Sequence, residues 1–316
     1  MKREGSVGVL LKGGLGNQLF QIASGLYSSG GKPLEIYSNF TLPRKTEGLA
    51  DSLFFNWPGN VVANGMTSTK IEKKFLALSL NLALKRKVSK GSRVTSQLVK
   101  ILVNSLFTFK FKGRTQVLSG DGVGFCEIEI KPGRNLLNGY FQAHQFPFSS
   151  DVYHQMRGIR LKDVSPSLEV WIRKAQSENP IIVHLRLGDY KQESGIGVLT
   201  PAYYKTALQE LESKSASKNI WIFTDELESV NEFISLPPTF NVSVIGENGL
   251  NPAETLELMR HGSAYVIANS TFSWWAAFLS YQSGCTKIMP APWFQNMPSP
   301  IGIKPQDWIE IEFLKQ

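Results

Sequence analysis

The sequence predicts an α/β protein built from two Rossmann-like domains that face a cleft. Short apolar runs with strand character alternate with helical patterns along most of the chain, and small or glycine-rich turns follow several of these runs. The 316 residues, 42% of them apolar, are enough for two hydrophobic cores. We therefore expect domains at residues 1–160 and 161–316, each wound around a mainly parallel sheet.

The first half opens with a βαβ pattern: a strand at 6–12, a helix through 19–27 and a strand at 33–37. Gly14, Gly16, Asn17 and Gln18 lie between the first strand and the helix, where glycines let a ligand approach and the helix start offers N–H groups. A tight turn without a ligand explains these residues equally well. Leu19 stands where a dinucleotide fingerprint needs glycine, which disfavours a nicotinamide site.

Residues 70–114 form a basic segment with apolar residues at helical spacings. They hold twelve Lys or Arg against the single acid Glu72, a net charge of +11 in a chain whose formal charge is +8. Such a segment can lie on an anionic surface such as a membrane. A helical pair that packs on its own domain and leaves a solvated basic face explains it too. Because the charge is confined to one region, we expect no nucleic-acid partner.

The remainder of the first half reads as strands at 126–130 and 135–142, then a helix over 152–176 that leads into the second domain. Cys126 and Cys285 are too few for a disulfide framework and lack metal-ligand spacing, which favours the cytoplasm. The N-terminus lacks the apolar region of a signal peptide. The longest apolar-rich run, at 75–84, is too short to cross a bilayer.

A strand at 181–187 is the centre of the second half, with the sequence IIVHLRL followed by Gly188-Asp189. Side chains alternate along a strand, so His184 and Arg186 share one face. A cation at the end of a buried strand needs an anionic partner, because desolvating it alone is costly. The partner could be a ligand phosphate or a carboxylate of the protein.

Polar residues follow two further strands of the second half. Asp225 and Glu226 come after a strand at 219–224 and could hold a ribose or base edge, or Asp225 could cap the next helix. After a strand at 264–268, a small-residue cluster opens an apolar helix and could place donors around a phosphate. The cluster consists of Asn269, Ser270, Thr271, Phe272 and Ser273. We also expect a helix at 201–214 capped by Thr200, a strand at 241–245, a helix at 254–260 and a last strand at 287–290.

Six short motifs together resemble the α-1,2-fucosyltransferases of glycosyltransferase family 11. They are GGLGNQLFQ at 13–21, GYFQ at 139–142, HLRLGDY at 184–190, FTDE at 223–226, ELMRHG at 257–262 and NSTFSWWAA at 269–277. Their order along the chain is that of the family, and the resemblance as a whole extends from about residue 8 to 294. Two departures stand out: Leu187 replaces the family's second Arg, and Glu226 replaces an Asp.

The resemblance implies a GT-B enzyme that moves L-fucose from GDP-fucose to the 2-hydroxyl of a terminal β-galactoside, with inversion and without a metal or cofactor. The acceptor would belong to a surface polysaccharide of the O-antigen kind and could be lipid-linked, with the enzyme at the inner face of the membrane. No Asp-x-Asp occurs to hold a cation. The N-terminal domain would bind the acceptor and the C-terminal domain GDP-fucose.

The same resemblance implies roles for individual residues. Arg186 would grip the pyrophosphate with help from the cluster that begins at Asn269, Asp225 would read the guanosine, and Asn17 would lie near the reacting sugar. For the general base, Asp189 is our first choice, followed by Glu193 and His184, although Asp189 could instead be a structural carboxylate. Two other hypotheses stay open: a transferase that uses another nucleotide sugar, and a non-catalytic protein that docks on a membrane or polyanion.

Overall fold

The structure is a computed structural model. It describes residues 5–38, 54–64, 69–85, 92–120, 123–191, 193, 195–236, 239–246 and 249–313, and for residues 83–85, 92–94 and 189 the backbone alone.

Strands and helices alternate in both halves of the chain. The strands are β1 Gly5–Leu10, β2 Leu34–Tyr37, β3 Phe55–Asn56, β4 Val61–Asn64, β5 Thr115–Leu118, β6 Gly133–Leu137, β7 Arg160–Leu161, β8 Ile181–Leu185, β9 Asn219–Thr224, β10 Asn241–Ile245, β11 Ala264–Val266, β12 Lys287–Ala291 and β13 Ile309–Glu312. The helices are α1 Leu15–Ser29, α2 Lys70–Lys85, α3 Ser92–Lys110, α4 Gln145–Phe148, α5 Ser150–Arg157, α6 Pro166–Glu178, α7 Pro201–Glu212, α8 Val230–Phe233, α9 Pro252–Met259 and α10 Thr271–Phe278. None of the described helices is both long and apolar enough to span a membrane.

The chain forms two compact units. The N-terminal unit contains Met1–Arg160 and Pro300–Ile303, and the C-terminal unit contains Leu161–Ser299 and Lys304–Gln316. Each has its own parallel sheet, in the order β4-β2-β1-β6-β5 in the N-terminal unit and β10-β9-β8-β11-β12-β13 in the C-terminal unit. The predicted α/β class with two Rossmann-like sheets is confirmed.

The order of strands in the C-terminal sheet reverses between β8 and β11. From β8 the chain moves outward through β9 and β10, then returns to β11 and moves outward on the other side through β12 and β13. Ligands of open α/β sheets bind beyond the carboxyl ends of the strands at such a switch point. All five residues of β8 are buried, as a strand covered on both faces requires.

Helix starts in the C-terminal unit follow the local capping rules. Thr200 accepts a hydrogen bond from the Tyr203 N–H and precedes Pro201 at the first position of α7, as predicted. Asn251 and Glu254 form a capping box around the start of α9. These caps fix the entry of each helix after its strand, and therefore the position of the loops that end at the sheet edge.

Several sequence predictions were wrong in detail. Residues 126–130 alternate like a strand but lie in no sheet of the described chain, since alternation alone supplies no neighbouring strand. The predicted helix over 152–176 is two helices, because Gly158 ends α5 and the Ser165 cap with Pro166 starts α6. The final strand β13 was not predicted.

The segment Pro300–Ile303, which the sequence analysis placed in the second domain, belongs to the N-terminal unit. The Phe125 N–H donates to Ile301 O at 2.8 Å, and the His144 N–H donates to Gly302 O at 2.7 Å. A Cβ on Gly124 would lie 2.2 Å from Ile301 N, so this position has room only for glycine. A short piece from the end of the chain is therefore built into the first unit.

Candidate functional site

The carboxyl ends of β8, β9 and β11 carry the polar residues that the sequence analysis selected in the second half. Arg186 comes one residue after β8, Asp225 directly follows β9, and Asn269 to Ser273 follow β11. Strands β9, β8 and β11 are neighbours in this sheet and run parallel. The fold thus brings these residues to one edge, around the switch point between β8 and β11.

Arg186 and Asp225 form an ion pair at this edge. Arg186 Nη1 lies 3.0 Å from Asp225 Oδ2, and the Leu187 N–H donates to Asp225 Oδ1 at 3.0 Å. The two side chains are 32% and 27% exposed, so solvent reaches both. The guanidinium also lies 5.4 Å from the Tyr190 ring centroid. The carboxylate and the aromatic ring together fix the direction of the cation.

This geometry decides one alternative for Asp225. Helix α8 starts after Ser229, so Asp225 is not the cap of the next helix. Its neighbour Glu226 forms a separate pair with Lys191 at 2.5 Å, with both side chains more than a third exposed. Glu226 therefore binds Lys191, in the turn that follows Arg186, and Arg186 pairs with Asp225 instead.

Gly188 is glycine because the Asp225 carboxylate occupies the space beside it. A Cβ at this position would lie 2.6 Å from Asp225 Oδ2 and 3.2 Å from its Cγ. Any side chain at 188 would push the carboxylate away from Arg186 and Leu187. The Gly-Asp turn predicted from the sequence thus has a packing reason in addition to ending the strand.

His184 lies inside β8 and is 6% exposed. Burial, with the nearby Arg186 charge and against the opposing Asp225 charge, lowers the pKa of His184 to about 3. Its Nδ1 is buried and has no hydrogen-bond partner among the described residues. The ring centroid lies 6.2 Å from that of Phe272. His184 is therefore a neutral imidazole at physiological pH.

The start of α10 is only partly what the sequence indicated. Ser270 is its N-cap residue but makes no side-chain cap, so the first-turn N–H groups receive nothing from that hydroxyl. Ser273 is fully buried, and its hydroxyl donates to the Ser270 and Ala268 carbonyls. Thr271 and Phe272 are half-buried. The helix N-terminus is the donor group here, while the Ser273 hydroxyl is turned into the helix.

Asn269 joins the site to the loop after β8. Its Nδ2 donates to Gly197 O at 2.9 Å and to Ile196 O at 3.3 Å, and its backbone O accepts from the Tyr190 hydroxyl at 3.4 Å. The side chain is 2% exposed, and Oδ1 has no partner within the described part of the chain. Asn269 holds the loop in place, which is a structural role that the sequence did not show.

Two candidates for the general base lie on the loop after Gly188. The backbone of Asp189 starts a one-turn 3-10 helix that ends at Lys191. Glu193 lies outside helices and strands, is exposed, and donates its N–H to Tyr190 O at 3.2 Å. Both backbones follow Arg186 within a few residues.

In the N-terminal unit, the predicted glycine turn connects β1 to α1. Gly14 is the N-cap position of α1, and no atom lies within 4 Å of a Cβ built on it. Asn17 Oδ1 accepts from Gln142 Nε2 at 2.9 Å, and Gln18 Nε2 donates to Gly13 O at 3.0 Å. Gly16 is buried. The GGLGNQ and GYFQ motifs therefore meet in space, beyond the neighbouring strands β1 and β6.

Lys12 is a residue of this turn that sequence reasoning missed. Its ammonium donates to Asn138 Oδ1, and its backbone is held by Gln21, whose side chain bonds both the N–H and the C=O. Burial lowers the pKa of Lys12 to about 7. The position of Lys12 directly before the glycine turn could have identified it from the sequence as a candidate.

Arg260, from the ELMRHG motif, serves the core instead. It is 1% exposed, its Nη1 lies 2.7 Å from Glu257 Oε2, and its guanidinium lies 4.3 Å from the Tyr281 ring centroid. The Tyr281 hydroxyl donates to the other Glu257 oxygen. No group of three or more His, Cys, Asp or Glu side chains placed to hold a metal ion occurs in the described residues.

The Arg186–Asp225 pair therefore lies at the switch point of a parallel sheet, where α/β proteins bind their ligands, and α10 starts after the neighbouring strand β11. The family model of glycosyl transferase family 11 matches residues 6–312, and the chain belongs to this family. It is therefore a glycosyltransferase.

Individual relatives are distant but span nearly the whole chain. An α-1,2-colitosyltransferase of Escherichia coli is 25% identical over 96% of this chain and 97% of its own length. The O-antigen biosynthesis glycosyltransferase WbnK of Escherichia coli is 23% identical over 90% and 93%. Among solved structures, fucosyltransferase NodZ from Bradyrhizobium matches with a TM-score of 0.46 and 14% identity, covering 87% of this chain and 93% of that one.

Proposed function

We propose that the protein transfers L-fucose from GDP-fucose to the 2-hydroxyl of a terminal β-galactoside, with inversion, in the synthesis of an O-antigen-like surface glycan. Membership of family 11 supports sugar transfer. The linkage and the glycan follow the names of the two relatives, an α-1,2-transferase and an O-antigen enzyme. The observation that carries the donor site is Arg186, held by Asp225 at the switch point.

The donor end of the reaction needs positive charge where GDP leaves. When the bond from the sugar to the β-phosphate breaks, negative charge develops on the diphosphate. Arg186 is assigned to that charge, since a guanidinium can bind a carboxylate through one edge and phosphate oxygens through another. The N-terminus of α10 adds N–H groups and its positive dipole end. No metal is assigned to this step, so turnover should persist in EDTA.

We assign two roles to Asp225, orienting Arg186 and binding the guanine base, and one carboxylate can perform both. Its oxygens each accept one bond within the protein, from Arg186 and from Leu187. A carboxylate offers about four acceptor positions, so it can also receive N–H groups of the guanine base. The first task orients the cation, and the second selects the nucleotide. Thr271 and Phe272, in the first turn of α10, are assigned to the diphosphate beside Arg186.

The acceptor hydroxyl must lose its proton as the new bond forms. We assign this proton to Asp189, with Glu193 as the second choice. His184 was the third choice, but a conjugate acid with a pKa of about 3 makes the imidazole a weak proton acceptor at neutral pH. We assign His184 a binding role instead, through its neutral ring. An Asp189→Asn variant that keeps the acidic limb of the pH-rate profile and most of its rate would remove Asp189 from the role.

The turn after β1 is assigned to the acceptor and the reacting sugar. The N-terminus of α1 begins at Gly14, where the backbone is exposed, and Asn17 is positioned by Gln142. Gly16 and Gln18 shape the same turn. We also propose that the reaction takes place in the cytoplasm, at the inner face of the membrane. Neither Cys126 nor Cys285 is in a disulfide, which suits a reducing compartment.

The test is release of GDP from GDP-fucose in EDTA, with a panel of β-galactosides that differ in the reducing-end sugar. Arg186→Met should lower kcat/KM far more than Arg173→Met, a matched change at an exposed α6 residue paired with Glu169. No turnover with any galactoside, together with no protection from thermal unfolding by GDP, would overturn the proposal.

A second candidate donor is favoured by one comparison. The colitosyltransferase relative suggests GDP-colitose, and colitose is L-fucose without its 3-hydroxyl. The two donors should therefore be compared directly, with GDP-mannose as the third nucleotide sugar. A kcat/KM for GDP-colitose well above that for GDP-fucose would assign the protein to the other sugar while leaving the site intact.

A further inference from the structure

Helices α2 and α3 bury one face and expose the other. Their inner residues Leu76, Val103 and Phe107 join Leu10 and Leu136 of the sheet in one buried cluster. The outer side carries large apolar residues that remain in water. These are Ile71 and Leu78 on α2 and Leu98, Ile101, Leu102 and Phe109 on α3, together called the outer face.

The outer face is a continuous stripe on α3 rather than scattered exposure. Leu98, Leu102 and Phe109 lie at intervals of four and seven residues, so they share one side of the helix, with Ile101 beside them. Phe109 is 85% exposed and Ile101 62%. On a folded domain such a row normally marks a surface that is covered by something else.

The charge around the outer face has a single sign. Lys74 lies between Ile71 and Leu78 on α2, Lys100 precedes Ile101, and Lys112 and Arg114 follow Phe109, all of them exposed. Glu72, the one acid of the basic segment, is buried and paired with Lys110 at 2.8 Å. The charge that reaches solvent from the described residues of 70–114 is therefore basic throughout.

We propose that the outer face docks on the surface of an anionic lipid bilayer, with Phe109, Ile101 and their apolar neighbours inserted between headgroups and the lysines in contact with lipid phosphates. An apolar stripe flanked by Lys and Arg is the pattern of an interfacial helix. A second copy of the chain is a poorer occupant, because a symmetric contact would bring two basic surfaces together. The inference does not depend on the donor or acceptor assigned above.

The test is flotation of the full-length protein with two kinds of vesicle: phosphatidylcholine alone, and phosphatidylcholine with phosphatidylglycerol. We expect binding to the anionic vesicles alone, with a steep loss as salt is raised. Ile101→Asp/Phe109→Asp should reduce the partition coefficient by roughly tenfold or more, because two apolar side chains would no longer leave water. Lys100→Glu/Lys112→Glu should also reduce it.

The matched control is Val170→Asp, the same type of change at an exposed valine of α6 in the other unit. It should leave vesicle binding unchanged, and circular dichroism and GDP protection should show that every variant is folded. Three outcomes would overturn the proposal. They are no binding to either vesicle, binding that Ile101→Asp/Phe109→Asp leaves intact, and a dimer in solution that this variant converts to monomer.

Discussion

Replacing Gly188 by alanine tests whether the Arg186–Asp225 pair is held in place by close packing. The added Cβ would lie 2.6 Å from Asp225 Oδ2, and an ordinary contact needs about 3.4 Å, so the carboxylate must retreat by about 0.8 Å. A shift of that size lengthens the 3.0 Å contacts from Asp225 to Leu187 and Arg186 beyond hydrogen-bonding distance.

The loss can be estimated from the two contacts. A hydrogen bond to a charged group is worth ~1.5–3 kcal/mol, and a partly exposed ion pair adds ~0.2–1 kcal/mol. We therefore expect Gly188→Ala to lower the free energy of unfolding by about 2–3 kcal/mol in urea titrations. Calorimetry should show weaker GDP binding, because Arg186 loses the carboxylate that orients it.

A double-mutant cycle isolates the cause. In an Asp225→Ala background the obstructing carboxylate is absent, so Gly188→Ala should then cost little, and the two changes should be coupled by ~2–3 kcal/mol, nearly the whole wild-type loss. Gly59→Ala is the control, since no atom lies within 4 Å of its added Cβ. Additivity of the Gly188 and Asp225 changes within ~0.5 kcal/mol would refute the packing argument.

Three further predictions concern buried ionisable groups. Because the pKa of His184 is about 3 when folded and about 6.5 when unfolded, the unfolded chain binds more protons between these values. Wild-type stability should thus fall by about 1.4 kcal/mol per pH unit more steeply than that of His184→Asn as pH drops from 6.5 towards 3. Lys12, with a folded pKa of about 7, gives the same sign at higher pH: urea titrations should show wild-type stability rising with pH above 7, and Lys12→Met should lack that rise. Arg260→Met should cost about 3–5 kcal/mol because it leaves the Glu257 carboxylate buried and unpaired. Arg260→Met/Glu257→Leu should unfold at higher urea than the single variant, and equal midpoints would contradict this reading.

Local patterns predicted most of the elements around the site. The strand before Asp225 and the helix after Ser270 were predicted, because apolar runs and small polar turns report on buried strands and their ends. The central strand was also predicted, but it ends at Leu185 instead of residue 187, so Arg186 lies just beyond it. The sequence could not show that Asp225 pairs with Arg186. The two residues are far apart along the chain and come together only because β8 and β9 are neighbouring strands. The sequence left three roles open for Asp225: to hold a ribose, to hold a base edge, or to cap the next helix. The capping role was wrong.

Other features depend on tertiary contacts that no window of sequence contains. The alternation at 126–130 looks like a strand, but no strand lies beside it in the described chain. Ser273 reads as a phosphate donor, yet its hydroxyl is buried against the Ser270 carbonyl. The lowered pKa of Lys12 follows from burial, which composition does not reveal. Periodicity and turn chemistry give the elements, whereas burial and pairing decide what each polar side chain does.

The return of Pro300–Ile303 to the N-terminal unit has a consequence for how the molecule is made. A ribosome that has released the first 160 residues has not yet synthesised the piece against which Phe125 and His144 form backbone hydrogen bonds. The N-terminal unit therefore stays incomplete until residues 300–303 have been synthesised. Expressing the two halves as separate polypeptides cut at 160 should therefore yield a first fragment that is less stable than the same unit in the intact chain, and that gains stability when a peptide spanning 300–303 is supplied.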